Sequence, residues 1–285
     1  MLSKKLFLIL LLPLLALSIM VAIVQTYSVL SSADTLSGSK NTSGGIRKAS
    51  KAWVAVVIDD FGQHNNTGVK EIFDLDIPVT CAVMPNLENT RRHAEEAASR
   101  GHQVIVHLPM EPLNGKKSWL GPGAITTNLT DKEIKSLAKK DFEGVPHAVG
   151  FNNHMGSAVT VNDRIMRLIL QVALEKNFFV LDSGTNGKSI IPSLSQEMGI
   201  AWTRRDVFLD NEKSLPYVKK QLNELSQKAI KNEKAVGIGH VGQGGKVTSR
   251  ALEEMIPQMK EMGIKFVYLS DIVNTNFLEK IHTLP

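Results

Sequence analysis

The stretch Val54-Ala55-Val56-Val57-Ile58-Asp59-Asp60-Phe61-Gly62 runs five apolar residues directly into two adjacent carboxylates. A short apolar run of this kind is typical of a strand buried on both faces, as in a parallel sheet. Neighbouring carboxylates repel each other unless a cation or a proton-transfer role separates their duties. Because successive side chains leave a strand in different directions, we expect Asp59 and Asp60 to serve different roles. The alternative is that one of them caps a following helix.

Apolar runs alternate with segments of helical period from Trp53 onward, which predicts βα units and a mostly parallel sheet. We predict an α/β fold, a distorted (β/α) barrel of about seven strands, with an open sheet as the alternative. The predicted strands are Val54–Ile58, Val79–Val83, Gln103–His107, His147–Phe151, Phe178–Leu181, Ala235–Gly239 and Phe266–Leu269, with a weaker one at Ile200–Trp202. The predicted helices are Glu88–Arg100, Asp131–Phe142, Asp163–Lys176, Leu215–Lys231 and Ser249–Met262.

The N-terminus carries a membrane-targeting pattern. Lys4 and Lys5 precede an apolar run from Leu6 to Val24, long enough to span the hydrocarbon core of a bilayer as a helix. We predict export across the membrane, with residues 1–24 as a signal anchor or, if cleavage occurs near Ser31-Ser32-Ala33, a signal peptide. Residues 25–50 are expected to form a flexible linker, residues 51–275 one folded domain, and residues 276–285 a tail.

The composition limits the partners. Of the 285 residues, 43% are hydrophobic, which is ample for a sizeable core, and 33 basic against 28 acidic residues give a net charge of +5. This balance suits an anionic wall polymer or a membrane surface. The basic residues are scattered rather than clustered, so no nucleic-acid partner is expected. Cys81 is the single cysteine and is expected to be buried and inert.

Polar clusters fall at the carboxyl ends of the predicted strands, where α/β folds gather their functional residues. They are Asp59-Asp60, His107, Asn152-Asn153-His154, Asp182 and His240. Their shared placement predicts a site on one rim of the sheet. Asp and His side chains are ligands for a divalent metal such as zinc. The metal activates water, a free Asp accepts its proton, and a histidine across the pocket protonates the leaving group.

The remaining titratable residues carry weaker signals. Asp206 and Asp210 either line the pocket or form ion pairs. The other histidines are expected to be surface or structural residues, and they are His64, His93, His102, His147 and His282.

These motifs, in this order, resemble the polysaccharide deacetylase superfamily (the NodB-homology group), and most closely its divergent branch of bacterial envelope proteins. The resemblance runs from Trp53 to Val273. It implies Asp59 as catalytic base, Asp60 and His107 as metal ligands and His240 as catalytic acid. Asp182 matches a later Asp motif and is included among the catalytic candidates.

The sequence also departs from the family pattern. Glu111 stands where the His-x-x-x-His-Pro ligand motif has its second histidine, so the third ligand is either Glu111 or His154. The usual Arg partner of the base is absent. Within the segment that replaces the Arg-containing motif and its continuation, the substrate-binding candidates are Asn152, Asn153 and Ser157.

The resemblance implies a zinc-dependent hydrolase that deacetylates an N-acetylated envelope polysaccharide. The first alternative is a non-catalytic glycan-binding or envelope-organising protein that keeps the fold. A second is a hydrolase of phosphoesters or of other amides, because metal-activated water attacks several electrophiles.

Overall fold

The computed structural model describes residues 52–116 and 119–273. The apolar segment Leu6–Val24, the linker 25–50 and the tail 276–285 lie outside these residues. In the part of the chain that is described, no helix is both long and apolar enough to cross a bilayer.

A parallel sheet forms the centre of the fold. Every strand pairing among the described residues is parallel, and the strand order is β6-β5-β4-β3-β2-β1-β8-β7, with β9 also paired to β1. The strands are β1 (Ala52–Phe61), β2 (Thr80–Val83), β3 (Gln103–Met110), β4 (Ala148–Met155), β5 (Phe179–Asp182), β6 (Trp202–Arg204), β7 (Val207–Phe208), β8 (Lys234–His240) and β9 (Ile264–Phe266).

Helices connect most of these strands, as parallel pairing requires. They are α1 (Val69–Phe73), α2 (Thr90–Ser99), α3 (Asp131–Gly144), α4 (Asp163–Glu175), α5 (Ile191–Glu197), α6 (Leu215–Asn232) and α7 (Gly245–Glu261). A single 3₁₀ turn, Val159–Val161, precedes α4. Helix α3 begins with a capping box in which Thr130 and Glu133 exchange hydrogen bonds, so its first turn is fixed by local sequence.

The sheet curls into an incomplete barrel. Strands β6 and β7 lie at opposite ends of the strand order, yet only Arg205 and Asp206 separate them in sequence. Two residues bridge only a few ångströms, so the two edges must lie close together. The result is a curled parallel half-barrel of eight successive strands, with β9 beside β1, which confirms the predicted distorted barrel.

Strand β1 separates the two parts of the core. Val54, Val56 and Ile58 pack with apolar residues of the helices, whereas Ala55 and Val57 pack with residues of other strands in the barrel interior. This alternation follows from the two-residue period of a strand. It also directs the next residue of the interior series, Asp59, into the barrel at its carboxyl end.

Several predicted boundaries differ from the observed ones. The predicted strand Phe266–Leu269 is wrong: β9 ends at Phe266, and residues 269–273 are helical. Leu269 and Val273 pack into the barrel interior, and a short buried apolar run does not reveal by its pattern whether it is strand or helix. Strand β4 extends to Met155, so the polar residues 152–154 lie within the strand instead of following it.

Candidate active site

The strand register brings the polar residues together at one rim. Asp59 pairs with His240 between β1 and β8, and His107 pairs with Asn152 between β3 and β4. Since all these pairings are parallel, side chains near the carboxyl ends share one edge of the barrel.

A cluster of one carboxylate and two imidazoles lies at this edge. The Oδ1 atom of Asp60 is 3.5 Å from Nε2 of His107 and 3.3 Å from Nδ1 of His154. The two histidine nitrogens are 3.0 Å apart. A tetrahedral site with metal–ligand bonds of about 2.1 Å has ligand atoms roughly 3.4 Å apart. The cluster therefore has the size and donor types of a zinc site.

One atom of the cluster has no hydrogen-bond partner. Oδ1 of Asp60 is buried and makes no hydrogen bond of acceptable geometry. Buried polar atoms are normally satisfied, so an orphaned carboxylate oxygen facing two imidazoles fits a cation ligand. Among the described residues, Asp60, His107 and His154 form the group able to hold a metal ion.

Glu111 lies outside this cluster. Its Oε2 accepts hydrogen bonds from the backbone N–H and the hydroxyl of Thr127, at 2.6 and 2.7 Å. Of the two candidates for the third ligand, the geometry favours His154.

The backbone of Asp60 explains how two adjacent carboxylates reach the same site. Its φ of 70° lies in the left-handed region, which is unusual for a residue other than glycine. The next turn is held by the N–H of Gly62, which donates to Nδ1 of the buried His93 at 2.8 Å. Burial lowers the pKa of His93 to about 4, so the ring is neutral and can accept this bond. The strained turn directs Asp60 towards the histidines.

Asn152 links Asp59 to His107. Its amide N–H donates to Oδ1 of Asp59 at 2.9 Å, and its Oδ1 lies 2.7 Å from Nδ1 of His107. The free oxygen of Asp59, Oδ2, is 3.7 Å from Nε2 of His107. Burial raises the pKa of Asp59, although His107 and His240 oppose the shift.

The pKa values of the ligand candidates Asp60 and His107 are shifted in opposite directions. Burial alone would raise the pKa of Asp60, but the adjacent imidazoles of His107 and His154 hold it well below its usual range. For His107, burial lowers the pKa, but the charges of Asp59 and Asp60 outweigh burial and raise it. Both shifts show that the carboxylates of this site stabilise a positive charge placed next to them.

The partly buried His240 and the buried Asp210 form a second pair on the same rim. Nδ1 of His240 is 2.8 Å from Oδ1 of Asp210, whose Oδ2 accepts bonds from the His240 backbone N–H and the Thr248 hydroxyl. Burial would lower the pKa of His240, but Asp210, reinforced by Asp59 and Asp60, raises it to about 9. The ring is thus cationic at neutral pH.

A cavity of about 410 Å³ joins the two groups, because Asp60 and His240 both line its wall. Phe208 also lines it, with its ring centroid 5.0 Å from that of His240. The guanidinium carbon of Arg205 lies 5.0 Å from the centroid of the same Phe208 ring. The remaining lining residues are predominantly polar, and they are Gln63, Asn65, Asp210, Asn211, Lys213, Val241, Gly242 and Gln243.

Asp210 is the site residue whose role the sequence left undecided. It precedes His240 by 30 residues, and β7 and β8 must pair before the two meet. In the sequence, Asp210 directly follows the apolar residues Phe208 and Leu209, as a functional residue at a strand end does. This pattern did not identify His240 as its partner.

The substrate-binding candidates are used within the protein. Asn153 is buried, and its amide bonds to Thr185, to the backbone carbonyl of Met155 and to the backbone N–H of Ser183. The hydroxyl of Ser157 accepts from the backbone N–H of Leu113. Asn152 is likewise buried. The amides of Asn152 and Asn153 are thus engaged inside the protein, whereas the hydroxyl of Ser157 is seen only as an acceptor.

Asp182 ends β5 and is completely buried. Its Oδ1 accepts from the backbone N–H of Gly184, and its Oδ2 lies 3.4 Å from Nε of Arg204. These contacts stabilise the turn after the strand and place Asp182 outside the metal-ligand cluster.

The loop after β3 completes the surroundings of His154. The Nε2 atom of His154 lies 3.0 Å from the carbonyl oxygen of Trp119. Since a carbonyl only accepts, this nitrogen carries the proton, and Nδ1 faces Asp60. The Trp119 side chain is 57% exposed beside the rim.

Comparison with known proteins places these features in a family. Residues 56–273 match the profile of the family described as divergent polysaccharide deacetylase. The uncharacterized protein YibQ of Escherichia coli K12 is 32% identical to this chain over 223 residues, which are 78% of this chain and 67% of the relative. An uncharacterized protein of Haemophilus influenzae is 31% identical over 187 residues, which are 66% of each chain. The chain thus spans about two thirds of the length of these relatives.

Solved structures share the fold. An uncharacterized protein of Agrobacterium tumefaciens C58 superposes with a TM-score of 0.73 at 19% identity, covering 80% of this chain and 92% of the other. A Mycobacterium smegmatis protein assigned to the polysaccharide deacetylases superposes with a TM-score of 0.52 at 12% identity, covering 86% and 96%. At these identities the likeness concerns the fold.

Proposed function

This chain belongs to the divergent polysaccharide deacetylase family, and from that membership we propose that it is a metal-dependent hydrolase that removes acetyl groups from an N-acetylated polysaccharide of the bacterial envelope. The observation that carries the proposal is the joint presence, around one rim, of a carboxylate–imidazole cluster, a buried second carboxylate and a cationic histidine. These are the groups that hydrolysis of an amide requires.

Asp60, His107 and His154 would hold the metal, and their donor set suits Zn²⁺. When bound, such an ion supplies Lewis-acid polarisation of the acetamide carbonyl and lowers the pKa of water towards neutrality. Three protein ligands leave room for water and substrate, as in catalytic rather than structural zinc sites.

Asp59 acts as the general base. Asn152 occupies its Oδ1, so Oδ2 is the oxygen that accepts the proton of the attacking water. The water oxygen forms a bond to the carbonyl carbon as this proton moves to Asp59. The raised pKa of Asp59, caused mainly by burial, makes it a better proton acceptor than an exposed aspartate.

His240 acts as the general acid. Its cationic ring donates a proton to the amide nitrogen as the carbon–nitrogen bond breaks, giving a free amine on the sugar and acetate. Asp210 keeps the ring protonated and fixes its orientation by accepting from Nδ1, which leaves Nε2 to face the cavity.

The envelope location belongs to the same proposal. It rests on the basic and apolar N-terminal pattern from Lys4 to Val24. An extracytoplasmic enzyme meets wall polysaccharide directly, and the positive net charge suits an anionic polymer.

The decisive experiment measures acetate release by the purified, zinc-loaded protein from N-acetylated cell-wall glycans and soluble N-acetylglucosamine oligomers. We expect release that stops when the metal is removed by a chelator and resumes when zinc is restored. Stoichiometric zinc binding with no acetate release, together with retention of the protein on glycan, would instead favour the non-catalytic glycan-binding alternative.

A further inference from the structure

Asn152 occupies a position unlike that of a substrate-binding residue. Its side chain is 0% exposed, and its strand β4 pairs with β3 so that Asn152 lies directly beside His107. Both ends of its amide are engaged, one by Asp59 and the other by His107, at 2.9 and 2.7 Å. Because the side chain is fully buried, this amide does not line the cavity.

The chemistry of the partners fixes which end of the amide faces which residue. An ionised carboxylate only accepts hydrogen bonds, so the NH₂ group faces Asp59. The carbonyl oxygen then faces His107 and accepts from Nδ1, which must carry the proton. The lone pair of the neutral ring is thereby placed on Nε2, the atom that lies 3.5 Å from Oδ1 of Asp60.

We infer that Asn152 is a positioning residue that sets the general base and a metal ligand with one amide. Its donor selects which oxygen of Asp59 receives the proton, and its acceptor selects which nitrogen of His107 meets the metal. This inference deepens the proposed function and rests on it for the role of the metal.

Among the side chains that fit here, an amide is the group with the required polarity at both ends. Arginine and lysine only donate, so either could serve Asp59 but neither could accept from His107. A carboxylate could accept from His107 but would repel Asp59. Metal-ligating histidines commonly donate their second N–H to such a partner, whose loss typically weakens metal binding 10–100-fold.

The test uses full-length protein labelled with ¹⁵N in its eight histidines, with His107 assigned from the spectrum of His107→Gln. Zinc affinity is measured by competition with a chromophoric chelator, and kcat and KM by acetate release. In Asn152→Leu we expect zinc Kd to rise about 10–100-fold and the protected Nδ1 proton of His107 to be lost.

Asn152→Asp separates the two functions of the amide. It keeps an oxygen for His107, so we expect the Nδ1 proton and a zinc Kd within about threefold of the wild type. It replaces the donor to Asp59 with a carboxyl group that repels Asp59 or shares a proton with it, so kcat should fall by roughly 10²-fold or more while KM changes little. A wild-type kcat in this variant would overturn the assignment to the base.

Asn153→Leu is the matched control. It removes a buried amide from the same strand that bonds to neither Asp59 nor His107, so the His107 signal and the zinc Kd should match the wild type. Wild-type zinc affinity and an unchanged His107 signal in Asn152→Leu would overturn the inference for the ligand.

The metal-free protein distinguishes this inference from the proposed function. If the wild type binds no zinc, the proposed metal chemistry fails, whereas loss of the protected His107 proton in Asn152→Leu and its retention in Asn152→Asp still support the hydrogen bond. If that proton is equally protected in all variants, the inference fails whatever the zinc affinity.

Discussion

At the scale of single residues, the two adjacent aspartates differ because their environments differ. Asp59 continues the inward-facing series of β1 and is fixed by Asn152, whereas Asp60 adopts a positive φ that directs it to two histidines. Burial raises the pKa of the first, and the histidines lower that of the second. Opposite shifts in neighbouring carboxyl groups are how active sites divide acid–base and ligand roles.

The separate roles predict separable variants. Asp59→Asn should leave zinc content near one per chain while lowering kcat by about 10²–10⁴-fold, because it removes the proton acceptor without touching the ligand cluster. Asp60→Asn should lose zinc as well. Metal analysis alongside acetate release checks both, and equal zinc loss in the two variants would contradict the assignment.

The Asp210–His240 pair predicts a pH dependence. The catalytic acid must be protonated, so kcat/KM should fall as pH rises through the pKa of His240, about 9. Asp210→Asn removes the negative charge that raises the pKa of His240, whereas burial, which lowers it, remains. The alkaline limb of the profile should therefore move to lower pH by about one unit or more. Profiles of kcat/KM between about pH 6 and 10 measure the shift. If the alkaline limb of the profile does not move in Asp210→Asn, it reports the titration of a group other than His240.

At the scale of elements, the strand ends are held by side chains of the helices beside them. His93 on α2 accepts from Gly62 after β1, and Thr248 on α7 donates to Asp210 after β7. Helix packing therefore contributes to site geometry as well as to the core. The same principle applies away from the site, where α3 contacts the end of β2 through a buried carboxyl.

That carboxyl, Asp141, gives a stability prediction. It accepts from the Asn86 amide at 2.6 Å, and burial raises its pKa from the ordinary 3.8 to about 7. The folded state therefore holds a proton that the unfolded chain has lost, and the free energy of unfolding should fall as pH rises from about 4 to 7.

Asp141→Asn should remove this fall and raise the free energy of unfolding at pH 8 by about 1–4 kcal/mol relative to the wild type. Urea unfolding at pH 5 and pH 8 measures it. Glu143→Gln on the same helix is the control, because its pair with Lys176 lies at the surface, where solvent screens the charges, and should not reproduce the effect. Equal pH dependence in Asp141→Asn and the wild type would contradict the prediction.

At the scale of the whole molecule, the described residues lie within one compact unit, and the short β6–β7 connection forces the sheet to curl. The curl places β1, β3, β4 and β8 around a common rim. An open sheet with the same strands would spread the same polar residues along a line. The curl of the sheet thus brings the separate strand ends together in one site.

Ala52, the first residue that the structure describes, is already buried in the core, and the boundary near Lys51 stays a prediction. We predict that residues 51–285 fold without the preceding segment. This fragment should melt cooperatively, with a midpoint within a few degrees of the full-length protein. Calorimetry of the two forms checks this, and a non-cooperative fragment beside a sharply melting full-length chain would move the boundary upstream.

The sequence by itself determined the fold class and the strand ends near which the candidate site lies. The five apolar residues before Asp59 and the alternation of strands and helices depend on local periodicity, which any short segment displays on its own. Histidines and carboxylates near those ends then predicted a metal site, because parallel strands place these ends together. Strand boundaries were less well predicted, as at residues 266–269.

Tertiary structure alone decided which of these residues meet. It brings His154, and not Glu111, to Asp60 and His107, pairs Asp210 with His240, and buries Asn152 between Asp59 and His107. Each contact joins strands or loops that are distant in sequence, so it depends on register, on the positive φ of Asp60 and on the curl of the sheet. Local patterns carry no information on these three quantities, because they arise only when the strands pair.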